Sequence, residues 1–403
     1  MLSTTWRRGA AVSLVTGLVA APVTYGPASA SQATPVTATM SSGTRTAQPA
    51  LLPSGTPSVT LSLLAGWLAY DLGPGPATKA SLKGPSGVAL DARGDLLIAD
   101  SGNNVVEEVT PAGRLSVVAG DGKEGPPTPG PATKSALYDP SAVAVDASGD
   151  LFIADSDNEV VEEVTPAGRL SVVAGVDDHF GPPTPGPATK SYLGGPGGVA
   201  LDARGDLFIA DSLNNLVEEV TPVGKLSVVA GVVGHVGSPA PGPATKSDLF
   251  GPGGMALDVH GDLFIADEAN NVVEEVTAAG KLSVVAGVAG HGGPPTPGPA
   301  TKSDLSGPGG VSLDARGDLF IADSVNKVVE EVTPAGRLSV VAGVAGHGGP
   351  PTPGPATKSD LYQPDGVALD AHGDLFIADY FNNVVEEVTP AGRLSVVAGH
   401  AQP

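Results

Sequence analysis

The sequence has no cysteine, which excludes disulfides, thiolate metal sites and anchoring through a lipidated N-terminal Cys. Positive charge is scarce: 21 Lys and Arg stand against 43 Asp and Glu, for a formal charge of −22. A surface of that sign repels phosphate backbones, so nucleic-acid binding is excluded. Aromatic residues make up only 4% of the chain, so where they cluster is informative. Long apolar runs are also missing. The one candidate, residues 9–23, is short for a membrane span, and nothing after it approaches that length.

Glycine and proline, by contrast, are abundant, at 56 and 39 residues, which excludes a helical solenoid. They punctuate a unit of about 56 residues that occurs six times, anchored at Gly94-Asp95, Gly149-Asp150, Gly205-Asp206, Gly261-Asp262, Gly317-Asp318 and Gly373-Asp374. In the third copy, residues 195–231, four apolar runs (199–202, 207–211, 216–221 and 226–231) are separated by turn-forming residues. Runs this short, bounded by Gly, Pro, Asn and Asp, predict strands joined by hairpins, here named a, b, c and d. Four antiparallel strands repeated six times predict an all-β, six-bladed β-propeller. The repeats lie near 84–120, 139–175, 195–231, 251–287, 307–343 and 363–399. An extra d-like segment, 61–66, competes with 394–399 for the place that closes the ring.

The unit P-x-G-V-A-L-D-x-x-G-D-L-F-I-A-D-x-x-N-N-V-V-E-E-V-T-P-x-G-R-L-S-V-V-A-G resembles the NHL repeat, especially the variety in secreted bacterial proteins and the teneurin ectodomain. The Gly-Pro-Ala-Thr connector, as at Gly75 to Thr78, matches that variety, and the resemblance covers residues 61–399. It implies the propeller fold; on activity it is silent, since such propellers include scaffolds, sensors and a minority of lyases and hydrolases. Strand c departs from the pattern, with Glu-Glu in all six copies where the family has a basic residue. Adjacent strand residues face opposite sides, so these pairs predict one carboxylate on each side of every blade, near a solvated rim.

Residues 1–30 read as a secretory signal: Arg7 and Arg8, an apolar stretch, then Ala28-Ser29-Ala30. Its removal takes two Arg away and moves the charge from −22 to −24. Residues 31–58, rich in Ser, Thr, Ala and Pro, read as a linker, and 59–403 as the propeller. The expected product is secreted, monomeric and free of the membrane.

In a propeller, the a→b and c→d turns share one face, and the b→c turns and d→a connectors share the other. Tyr138, Phe180, Tyr192, Phe250 and Tyr362 fall in connectors, with Trp67 and Tyr70, while Tyr380 and Phe381 fall in a b→c turn. All therefore belong to the second, loop face. Aromatics are enriched at recognition surfaces, so Tyr138, Tyr192, Phe250, Tyr362, Tyr380 and Phe381 are the candidate ligand-binding residues. The position just before strand a varies most (Lys83, Tyr138, Gly194, Phe250, Ser306, Tyr362).

Cation sites are the weaker expectation. His179, His235, His291 and His347 occupy equivalent connector positions, but four loops would have to fold inward to share one transition metal. The Asp ending each strand b, with Asn three residues on (Asp100 and Asn103, for example), predicts a held turn, with an axial calcium ring as the alternative. The six connector lysines, from Lys79 to Lys358, predict rim ion pairs, and Arg-Gly-Asp at Arg93, Arg204 and Arg316 sits in the a→b hairpin. Catalysis needs unlike residues in one place, whereas these repeats supply rings of like ones. The expectation is a secreted, non-catalytic module that needs no cofactor and recognises a protein, peptide or glycan. The alternative is a metal-dependent lyase or lactonase-like hydrolase with its site at the channel mouth.

Overall fold

The computed structural model describes residues 74–400; the signal, the linker, segment 61–66, Trp67 and Tyr70 lie outside them. Six antiparallel sheets follow one another along the chain. Blade three has strand a at Pro196–Leu201, b at Leu207–Asp211, c at Leu216–Val220 and d at Lys225–Ala230. Each blade has five strands, not the four expected. The fifth is the Gly-Pro of the connector, Gly186–Pro187 in blade three, paired outside strand d. Proline suits this outermost place, where no further strand calls for its missing N–H. A two-residue strand of Gly and Pro carries no β-propensity, so pattern reading passed over it.

The turns are fixed by local chemistry. Asp202 Oδ1 accepts the backbone N–H of Arg204 and Asp206 at 2.8 and 2.9 Å, which closes the a→b hairpin. Gly231, just past strand d, has φ +87°, and an added Cβ there would collide with the Asn215 carbonyl oxygen, so only glycine fits.

The core is divided among the six junctions between blades. At one of them Ala210, Val217 and Ala230 of blade three meet Met255, Leu263 and Ile265 of blade four. The first-to-last junction is built like the rest. Ala368, Ala378, Val385 and Ala398 pack on Val88, Leu96 and Ile98, and Gly84 N–H donates to Asn383 Oδ1 at 2.9 Å. Strand d of blade six is Arg393–Gly399, so each blade is made from one continuous segment.

Candidate functional site

The loop face is built on the Asp at the end of each strand b. Asp155 Oδ1 accepts the Tyr138 N–H at 2.7 Å and its Oδ2 accepts Asn158 Nδ2 at 2.6 Å. The same Asp–Asn clamp holds the backbone of Lys83, Gly194, Phe250, Ser306 and Tyr362. A constant device thus presents the position that varies most. These aspartates lie buried in the blade junctions, each bound to its own loop, rather than around the axis.

Strand c carries a correction. The first Glu of each pair (Glu107, Glu162, Glu218, Glu274, Glu330, Glu386) is fully buried, not at a solvated rim. With five strands per blade, c is the middle one, and its first Glu faces a neighbouring blade. Both carboxyl oxygens of Glu162 are buried without a hydrogen-bond partner, and Asp155 is the carboxylate beside it. Two carboxylates cannot hydrogen-bond without a proton between them. Burial, then the charge of Asp155, pushes Glu162 well above the ordinary carboxylate range. Burial also raises Asp155 to about 7, although Asn158 and the Tyr138 amide favour its charged form. Both shifts favour a proton on the pair, most strongly on the Glu. The second Glu is half-exposed, as expected.

Tyr362, Tyr380 and Phe381 form a cluster, with ring centroids 5.1 Å apart for Tyr362–Phe381 and 5.2 Å for Tyr380–Phe381. Lys327 Nζ lies 5.2 Å over the Tyr362 ring, in cation–π range. Tyr192 stacks on His179 at 5.9 Å, Phe250 stands exposed, and Tyr138 is half-buried. The candidates thus share a face without forming one site. The four connector histidines are exposed on separate loops and, among the described residues, join no group able to share an ion. The connector lysines form no ion pair among the described residues, so the expected rim pairs are absent. Arg93 is engaged within its own hairpin, at 2.8 Å from Asp91 and 2.9 Å from Asp95.

Sequence reading missed two features. After strand b, Ser101, Ser156, Ser212 and Ser324 each donate to the Pro carbonyl that opens the next strand a, at 2.5–2.6 Å. Glu268 and Tyr380 replace serine in the other two blades. Asp365, on the innermost strand of blade six, is raised to about 7 by burial, then by Glu268 and Asp139, and Tyr380 is raised by burial, then by Asp139 and Asp365. Four residues that break the repeat, drawn from blades two, four and six, thus lie within electrostatic reach of one another. Comparing the copies position by position would have found them. The second feature is on the opposite, hairpin face, where Asp258, His260, Asp262 and Asp370, His372, Asp374 bring ligand atoms within 4.8 Å of one another.

Residues 183–352 match the teneurin NHL domain and residues 82–106 the NHL repeat. Together with the six-bladed ring, these matches bear out the resemblance to NHL-repeat β-propellers. Teneurin-3 of Danio rerio is 26% identical over 344 residues, 77% of this chain but only 12% of the teneurin's length. An auxiliary nutrient binding protein from Bacteroides ovatus has a similar fold, with TM-score 0.59 at 15% identity over 81% of this chain and 72% of its own. A gluconolactonase from Xanthomonas campestris is similar with TM-score 0.52 at 13% identity, over 78% and 87% of the two chains. At such identities the likeness is one of fold. Among the described residues no helix is long and apolar enough to cross a membrane.

Proposed function

We propose that this chain is a secreted, non-catalytic binding module that recognises a protein, peptide or glycan through its loop face. One observation carries the reading. Of the large apolar side chains exposed among the described residues, all but Val223 and Val259 stand on that face, among them Phe180, Leu213, Phe250, Val325, Tyr362 and Phe381. Water-exposed apolar groups concentrated on one side of a molecule are suited to burial by a partner. The Tyr362–Tyr380–Phe381 cluster beside Lys327 is the proposed anchor. Export rests on the pattern of residues 1–30, and teneurin and nutrient-binding relatives support an extracytoplasmic setting.

The test is a screen of the purified chain on peptide and glycan arrays, with each hit re-measured on Tyr362→Ala and Phe381→Ala. A loss of about tenfold or more per anchor is expected; hits that bind both variants unchanged would overturn the reading. Expression from the full gene that leaves the chain inside the cell with an unprocessed N terminus would overturn the secretion part. The enzyme alternative draws on Asp139, Glu268, Asp365 and Tyr380 at the channel mouth. Metal analysis before and after chelation separates the two: about one tightly held ion per chain favours the enzyme.

A further inference from the structure

The six blade junctions are nearly equivalent on the hairpin face, and one differs in three ways at once. Five junctions set the Phe of one strand b against the Leu that ends the next strand a: Phe152 with Leu201, Phe208 with Leu257, Phe264 with Leu313, Phe320 with Leu369 and Phe376 with Leu90. Between blades one and two the pair is Leu97 and Val145, both smaller. The adjoining a→b hairpin has Ser148 where the sister copies carry Arg93, Arg204, Arg316, His260 and His372. Three independent reductions in side-chain size coincide at one junction, and a cavity of about 550 Å³ opens there. Its walls include Leu97, Val145, Leu151 and Val164, with Asp146 and Ser148 at its edge. That volume is in the range of small-molecule sites.

The charge pattern says what would fill it. In the sister hairpins the first Asp holds a basic side chain: Arg93 on Asp91, Arg204 on Asp202 and Arg316 on Asp314 at 2.8 Å, His260 on Asp258 at 2.9 Å and His372 on Asp370 at 3.0 Å. Asp146 makes the same two backbone contacts, from Ser148 and Asp150 at 2.8 and 2.9 Å, but no cationic side chain reaches it. Asp150 is likewise without an ion pair, whereas its counterparts Asp95, Asp206 and Asp318 each hold an arginine at 2.9–3.0 Å. Glu163, on the middle strand of blade two, adds further negative charge near both. Across the groove, Arg93 is already committed to Asp91, Asp95 and Glu108.

We propose that this groove binds a small organic cation, an amine or guanidinium on an apolar body. The cationic group takes the place that Arg or His fills in the sister blades, on Asp146. The body lies on Leu97, Val145, Leu151 and Val164. This site is on the face opposite the aromatic loops and stands or falls independently of them.

Calorimetric titration of the full chain with tryptamine, and with indole-3-propionate as its anionic counterpart, tests the proposal. Tryptamine is expected to bind and the acid not to. Ser148→Arg, which restores the internal cation, and the pair Leu97→Phe with Val145→Leu, which restores the sister packing, are each expected to weaken tryptamine at least tenfold. All three changes copy residues already present in other blades, so the fold tolerates them. No tryptamine binding, equal binding of the acid, or binding unchanged in Ser148→Arg would each overturn the proposal. The last outcome would move the amine to other carboxylates, such as those at the channel mouth.

Discussion

The two faces of the ring use the same repeat in opposite ways. On the loop face the supporting residues are constant and the presented ones vary: Asp155 and Asn158 have counterparts in every blade, while the residue they hold can be Lys83, Tyr138, Phe250 or Tyr362. On the hairpin face nearly everything is constant, and the exception is a loss, at Leu97, Val145 and Ser148. One face diversifies by adding side chains to a fixed frame. The other does so by deleting them from a filled groove. A repeat protein can gain individuality by either route, and only the first stands out as unusual residues in the sequence.

The sharpest way to break the contrast is to remove a clamp. Asp211→Ala leaves the Gly194 amide and Asn214 without their charged acceptor, now held at 2.8 and 2.7 Å. At about 1.5–3 kcal/mol for each hydrogen bond to a charged group, a loss of about 3 kcal/mol is expected in denaturant unfolding.

A pH series sharpens the contrast next. In the junctions burial raises both partners: the Glu well above its ordinary value of 4.5, and the Asp from 3.8 to about 7 for Asp100, Asp155 and Asp211 or about 6 for Asp267, Asp323 and Asp379. The folded state then holds more protons than the unfolded one above those ordinary values, so stability falls as pH rises. The hairpin aspartates pull the other way. Burial opposes the shift, but amide and Arg or His contacts hold Asp91, Asp258, Asp314 and Asp370 below 3.8, a contribution lost as pH falls through their folded values. The sealed junction pairs outweigh these solvent-screened hairpins. Thermal melts should therefore show a midpoint that declines from about pH 5 to pH 8, and Glu218→Gln, which donates without titrating, should flatten the decline. A midpoint that rises over that range would show the pairs to be ionised.

The smallest effects belong to the altered junction. Leu97→Phe fills a cavity and should add about 1 kcal/mol. Ser148→Arg restores an exposed ion pair and should add about 0.5 kcal/mol or less. A destabilising Leu97→Phe would mean that this groove is not the larger one.

Much of this was legible in the sequence because turn chemistry is local. Gly205 and Asp202 announce their hairpin wherever they occur, and strands b, c and d of blade three fall within a residue of where the apolar runs put them. The local Asn214–Asp211 half of the clamp was legible for the same reason, but its reach to the Gly194 amide, 17 residues back, was not. What escaped depends on neighbours distant along the chain. The buried face of Glu218 is set by the adjoining blade and by a fifth strand that Gly186–Pro187 does not advertise. Asp139 and Glu268 come within electrostatic reach of Asp365 only because the ring closes.

Because every blade is one continuous segment, including the sixth, the ring carries no mark of where the chain starts. Both described ends lie at the same junction, where His400 Nδ1 is 3.0 Å from the Ala80 carbonyl oxygen. Joining them there and opening any other connector would give a circular permutant with the same six junctions in a new order. Blade order along the chain is thus free of the fold, and a gene of this kind can exchange, duplicate or retune one blade while the other five keep their partners.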